Sequence, residues 1–185
     1  MTDLCTDATW GVRAVASFGD EHTPLGSGER DRLRERPGEV VLVLRASDGT
    51  FWLHTKSFYP PGIYRLATGG LEAGESPDDA YVRELLEETG IAPAPPPRRV
   101  GRIGYRENSG RFPFESYLYG IEHVDAIPSP ADQDERITAW RKVPRSDLVD
   151  VARTLRTLPA EWRSWGVFRA VAHEVLTEAL SRGQG

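Results

Sequence analysis

Apolar positions in this chain of 185 residues fall into short runs, separated by polar stretches that carry glycine or proline. Residues 39–45, with the run Val40-Val41-Leu42-Val43-Leu44 at their centre, predict a buried strand. Asp48-Gly49 predicts a hairpin turn into a second strand over residues 50–55. Further strands are expected over 64–67, 99–106, 113–121 and 137–143, with Asn108-Ser109-Gly110 turning between the second and third of these. A strand over residues 10–18 precedes a polar stretch, 20–38, that reads as a loop. Residues 146–158 and 159–180 read as helical. In the last, Trp162, Trp165, Phe168, Ala172, Val175, Leu176 and Ala179 recur at helical spacing.

The clearest element is a helix starting at Ser76-Pro77-Asp78-Asp79. Ser76 can accept from backbone amides as N-cap, Pro77 suits the first turn, and the aspartates favour the positive end of the helix dipole. Gly90 supplies a left-handed residue to end it. Strands on both sides of a central helix, with helices again at the end, imply a mixed β-sheet covered on both faces, an α/β fold. The expected organisation is an N-terminal extension over 1–37 with an extra strand and loop, a main domain over 38–158, and a C-terminal helix over 159–185 packed on the same domain.

Composition narrows the class. With 39% hydrophobic and 28% charged residues the chain is of globular type. Its longest uncharged apolar run, Val40 to Leu44, falls far short of the ~18 residues a membrane span needs. Met1 to Asp7 is polar and acidic, and Cys5 is the single cysteine, which together predict a cytoplasmic, reducing environment. The formal charge is −5, but residues 69–91 alone carry −6 and the remainder +1. Acidity this concentrated repels a phosphate polyanion unless a cation intervenes, and it attracts divalent metal. No basic run stands out beyond Arg30 to Arg36, where acids are interleaved, so a nucleic-acid partner is disfavoured.

Glu84, Glu87 and Glu88 stand at i, i+3 and i+4 on the helix, and Arg83 is its only base. Like charges so placed cost roughly 0.2–0.5 kcal/mol per pair. A hard cation with oxygen ligands removes that penalty. Taken alone, three glutamates on one helix read more readily as a solvated acidic face than as a metal site.

The flanking residues change that balance. From Gly69 through Glu75, Arg83-Glu84-Leu85-Leu86-Glu87-Glu88-Thr89-Gly90 and Ile91, the segment resembles the Nudix box: Gly, five residues, Glu, seven residues, Arg-Glu-aliphatic-any-Glu-Glu-any-Gly-aliphatic. At roughly 5% usage for each of seven exact residues, chance agreement is on the order of 10⁻⁹ per start position. The resemblance implies an α/β/α sandwich with a mixed β-sheet and the box as a loop–helix–loop. It implies a hydrolase that uses Mg²⁺ or Mn²⁺ to cleave the diphosphate of a nucleoside diphosphate linked to another moiety. By motif position Glu84, Glu87 and Glu88 would be metal ligands, joined by the Gly69 carbonyl. The chemistry is consistent with that: cations neutralise diphosphate oxygens and make water a better nucleophile, and a free carboxylate can take its proton. Arg83 and Glu75 read as an orienting pair that fixes the loop to the helix, Glu75 being structural or an auxiliary ligand. Gly70 and Gly90 read as structural glycines of the box.

Past the box the pattern is thinner. Glu135, in Asp132-Gln133-Asp134-Glu135, is the choice for a general base or further ligand. Glu115, alternating with apolar neighbours, is a candidate to face the cleft, and Arg65 a candidate to contact phosphates. Lys56 reads as solvated. Phe58, Tyr59, Tyr105, Phe112 and Phe114 are candidates for stacking on a base, although core packing is the commoner fate of such residues. Trp162 and Trp165 read as core or as a contact in a homodimer, and His54 and His173 as structural or exposed. Ala67 stands where many members of the resembled family have proline. The partner implied is a small nucleotide-type diphosphate.

Overall fold

The computed structural model describes residues 2–7, 9–17, 26–93, 96–107 and 110–183. Strands β1 (Thr2–Asp7), β2 (Gly11–Ser17), β3 (Gly38–Leu44), β5 (Ala67–Gly70), β6 (Arg98–Glu107) and β7 (Gly110–Ile121) form a six-stranded mixed sheet in the order β1-β2-β6-β7-β3-β5. The β2–β6 and β3–β7 pairs are parallel and the rest antiparallel. Strands β4 (Phe51–Lys56) and β8 (Ile137–Val143) pair separately as an antiparallel ribbon. The helices are α1 (Ser27–Arg34), α2 (Pro77–Thr89), α3 (Leu148–Arg156) and α4 (Ala160–Ser181).

The sheet is buried on both faces. All seven residues of β3 are buried, as expected of a strand flanked by two layers. Val41 and Val43 point into one core with Phe168, Val171 and Val175 of α4. Val40, Leu42 and Leu44 point into the other, with Ala80, Tyr81 and Leu85 of α2. The layering is therefore α/β/α. No helix among the described residues is long and apolar enough to cross a membrane.

The structure departs from the sequence reading in three places. The supposed loop over 20–38 contains α1, whose Leu33 is buried in the first core; residues 18–25 lie outside the described residues. Asp48-Gly49 does make a turn, with Gly49 at φ 83° and its N–H donating to the Ala46 carbonyl at 2.9 Å, but no hairpin ladder follows. β7 takes one edge of β3 and β5 the other over Glu39–Leu42, so β4 makes a single bridge past the end of β3, Arg45–Phe51, and pairs with β8 instead. The strand expected over 64–67 begins at Ala67 and runs through Gly70, because its partners Glu39 to Leu42 continue there.

Candidate active site

The loop–helix unit is built from local signals. Ser76 accepts from the Asp79 N–H at 3.2 Å, Pro77 opens α2, and Gly90 closes it at φ 69° with its N–H on the Leu86 carbonyl at 2.8 Å. The helix buries Ala80, Tyr81 and Leu85 as apolar anchors. Leu86, beside Leu85 in sequence, is exposed. Two acids go inward instead: Glu84 is 6% exposed and Glu88 0%. A carboxylate in that setting is costly unless a cation compensates it.

Arg83 compensates one end. Its Nε and Nη2 donate to the two oxygens of Glu75 at 2.9 and 2.8 Å, its Nη2 also to the Gly70 carbonyl at 2.9 Å, and its Nη1 to Glu84 at 2.8 Å and Glu87 at 3.1 Å. The Arg83 bonds hold the Glu75 carboxyl below its ordinary range, whereas burial outweighs Arg83 at Glu84 and raises it. The Glu84 carboxylate lies flat against Gly69. A Cβ on Gly69 would sit 1.7 Å from the Glu84 carboxyl carbon, so the glycine is required by this approach.

The other end contains the cluster that could hold a metal. One carboxylate oxygen from each of Glu84, Glu88 and Glu135 lies within 4.8 Å of the other two. Glu135 sits on a short 3-10 turn, Gln133–Glu135, just before β8. Lys56 at the end of β4 donates to Glu88 Oε1 at 2.9 Å and to Glu135 Oε2. It is not a solvated lysine: β4 delivers it between two acids far away in sequence. Burial pushes Glu88 up to about 8 against the pull of Lys56. Burial acts the same way on Glu135, yet Lys56 prevails there and holds it below the usual carboxylate range. The second oxygen of Glu88 is buried and accepts no hydrogen bond. An all-oxygen donor set with one uncompensated buried oxygen fits a hard divalent cation. Glu87 lies outside this triad, half-exposed, with its carboxylate turned to Arg83.

The cluster opens into a cavity of about 540 Å³ floored by the edge of the sheet at β3 and β5. Gly69, Gly70, Arg83, Glu84, Glu87 and Glu135 line one end. Arg65 lines it too, buried, donating to the Leu66 carbonyl at 2.7 Å, to Thr68 at 3.1 Å and to the Tyr59 hydroxyl. Phe58, Tyr59, Phe114 and Trp165 bring aromatic surface. Tyr105 and Phe112 pack in the core. Trp162 and Trp165 pack against the small core of Ile63, Ala152, Leu155, Leu158 and Ala170, in line with the core reading, and Trp165 also reaches the cavity wall, where it flanks Arg65. Glu115 is not in the cavity. Strand alternation turns Phe114 toward it and Glu115 to the opposite face, where Arg102, Arg111 and Tyr117 bind its carboxylate at 2.5–3.1 Å. His54 and His173 are both buried.

A mixed sheet between helices, with a loop–helix–loop of clustered carboxylates at its edge, defines the Nudix class of fold. The family model described as NUDIX domain matches residues 35–166, and the chain belongs to that family. It is 26% identical over 155 residues to the NAD-capped RNA hydrolase NudC of Pseudomonas aeruginosa (strain LESB58), covering 82% of this chain and 46% of that protein. The chain thus spans about half the length of that relative. It is 27% identical over 127 residues to the phosphatase NudJ of Escherichia coli (strain K12), covering 68% of this chain and 80% of that one. Among solved structures, the NUDIX domain of Shewanella oneidensis NrtR complexed with ADP ribose aligns with a TM-score of 0.52 at 18% identity, over 81% of this chain and 89% of that one. A NUDIX hydrolase from Nitrosomonas europaea aligns with a TM-score of 0.52 at 19% identity, over 80% and 90%.

Proposed function

We propose that the chain is a divalent-metal-dependent pyrophosphohydrolase that cleaves the P–O–P linkage of a nucleoside diphosphate joined to another moiety. The observation that carries this reading is the buried Glu88 carboxylate with an unpartnered oxygen, gathered with Glu84 and Glu135 at the end of a large cavity. Family membership and the hydrolase and phosphatase names of the two relatives support it.

Glu84 and Glu88 of the cluster would hold Mg²⁺ or Mn²⁺, joined, as the motif implies, by the Gly69 carbonyl and by Glu87, which would have to turn from Arg83. The bound cation would supply charge neutralisation of the diphosphate oxygens and activation of water. Glu135, kept ionised beside Lys56, would take the proton as the water oxygen bonds to phosphorus and the bridging P–O bond breaks. Arg83 touches no reacting atom in this scheme: it positions Glu84 and Glu87 from the side, anchored on Glu75. Arg65, a buried guanidinium without a carboxylate partner among the described residues, lines the cavity and would lend its charge to the substrate phosphates. The aromatic wall at Phe58, Tyr59 and Trp165 suits a planar base.

The test is a panel of nucleoside triphosphates, nucleotide sugars and dinucleotides incubated with purified protein and Mg²⁺ or Mn²⁺, with products weighed after reaction in ¹⁸O-water. Cleavage at a diphosphate that falls about 10–100-fold in Glu87→Gln at limiting Mg²⁺ is expected. No cleavage of any member with either metal would overturn the proposal.

A further inference from the structure

Six cationic side chains line the cavity: Arg32, Arg36, Lys56, Arg65, Arg83 and Arg169. Four have an acid at ion-pair distance: Arg32 pairs with Glu29 at 3.6 Å, Lys56 with Glu88 at 2.9 Å, Arg83 with Glu75 at 2.8 Å and Arg169 with Glu39 at 2.6 Å. Arg65 has no acid; its two Nη groups donate to Leu66, Thr68 and Tyr59, and its buried Nε alone has no partner. Arg36 has neither an acid nor a hydrogen bond among the described residues, so its whole guanidinium fork is free.

Its placement is nonetheless defined. The Arg36 guanidinium lies over Gly70: a Cβ there would fall 2.1 Å from Nη1 and 3.0 Å from Cζ. Gly70 is not in a left-handed conformation, and the Nudix pattern leaves its position free, so the close approach of Arg36 is what calls for glycine. Alternation along β5 separates the two neighbours: Glu84 presses on Gly69 from the α2 side, and Arg36 on Gly70 from the side facing the cavity and α4. Arg36 is the second residue after α1, and Glu29, Arg32 and Leu33 of that helix continue the same wall. Those three precede residue 35, where the family match begins.

We infer that Arg36, in the segment after α1, forms an anion subsite that binds phosphate oxygens of the substrate beside the carboxylate cluster, on the face of β5 opposite Glu84. The inference rests on the pyrophosphohydrolase reading and deepens it: the substrate would present anionic oxygens to two places at once, the acidic cluster through its cation and the Arg36 guanidinium directly. A planar guanidinium with its full fork of donors is well suited to that contact.

The experiment measures binding of α,β-methylene ADP by titration calorimetry, with and without Mg²⁺ and at two salt concentrations, alongside steady-state kinetics on the best substrate of the panel. For Arg36→Gln, affinity for the analogue falls and KM rises by about tenfold, kcat changes less than about twofold, and the salt dependence flattens. Arg36→Lys restores part of the affinity. Gly70→Ala, which pushes Arg36 aside, reproduces the loss, and the double variant Gly70→Ala/Arg36→Gln is no weaker than either single one. Equal melting temperatures across the set exclude a folding defect. If Arg36→Gln binds the analogue and turns over like the parent, the subsite is refuted while the hydrolase reading stands. If the parent binds the analogue through Arg36 but cleaves nothing, the hydrolase reading falls and the subsite stands. If the parent neither binds nor cleaves, both fall.

Discussion

Arg83 and Glu75 meet in a fork-to-fork pair, Nε on Oε1 at 2.9 Å and Nη2 on Oε2 at 2.8 Å, that closes the loop before α2 onto the middle of the helix. Glu75 also accepts from the Glu72 N–H at 2.9 Å, so the loop is tied at two points to one carboxylate. With its remaining donors Arg83 reaches Gly70, Glu84 and Glu87. One guanidinium thus joins strand, loop and helix. A lysine keeps the charge but cannot span these acceptors. Arg83→Lys is expected to lose about 2 kcal/mol of stability, a fall in melting temperature of about 4–8 °C for a chain of this size. Thermal unfolding followed by circular dichroism checks this, and a melting point within about 1 °C of the parent would show the fork to be dispensable.

Gly69→Ala tests a different relationship. Its added Cβ would collide with the end of a flexible side chain, the Glu84 carboxylate, and with no backbone among its nearest neighbours. The fold is expected to survive while Glu84 is turned away from Glu88 and Glu135. Mn²⁺ affinity, read from the electron paramagnetic resonance signal of free Mn²⁺, is expected to fall about tenfold or more. Unchanged affinity would mean that Glu84 contributes no ligand.

Glu88 should show a conflict between stability and function. Its carboxylate is 0% exposed and one oxygen has no partner, so ionising it in the metal-free fold is unfavourable. Glutamine preserves the shape without the charge, and Lys56 retains Glu135. Metal-free Glu88→Gln is expected to melt at or above the parent, yet to bind Mn²⁺ at least about tenfold more weakly. A variant that melts well below the parent and binds Mn²⁺ normally would assign Glu88 a structural role alone.

These relationships were not equally legible in the chain. The limits of α2 are local: Ser76, Pro77 and Gly90 act through their own backbones, and the structure places both helix ends where those residues put them. The Arg83–Glu75 pair was within reach for a similar reason, since one loop and one helix bring the two together. Lys56, Arg36 and Trp165 were not. Each joins the cavity from a separate element (β4, the link between α1 and β3, and α4), and a lysine closing a strand looks the same in sequence whether solvent or Glu88 awaits it. Glu115 shows the limit of alternation. The period of two says that Phe114 and Glu115 face opposite ways, but not which face of β7 the cavity takes. The turn at Asp48-Gly49 was readable, and the fate of the strand after it was not, because that depends on β5 and β7 taking the two edges of β3.

Acid should weaken the fold through its buried imidazoles. His173 on α4 is 1% exposed, and its Nε2 accepts the Leu66 N–H at 3.2 Å, which requires that nitrogen to be unprotonated. Burial, reinforced by the nearby Arg65 charge, lowers its pKa from 6.5 to about 3. His54, fully buried and without a hydrogen bond at either nitrogen, is lowered as well, by burial and then by Arg65, Lys56 and Arg169. The unfolded chain takes up these protons near pH 6.5, whereas the folded protein refuses them until far lower pH, so between those limits the unfolded state binds more protons. Stability is full above about pH 6.5 and is lost as the pH falls, by about 2 kcal/mol between pH 7 and pH 5 for His173 alone. In His173→Gln a side-chain oxygen can still accept from Leu66, but nothing titrates there. Urea unfolding at the two pH values should show a drop in stability smaller by about that amount in the variant; parallel losses in the two proteins would show that His173 does not govern the acid limb.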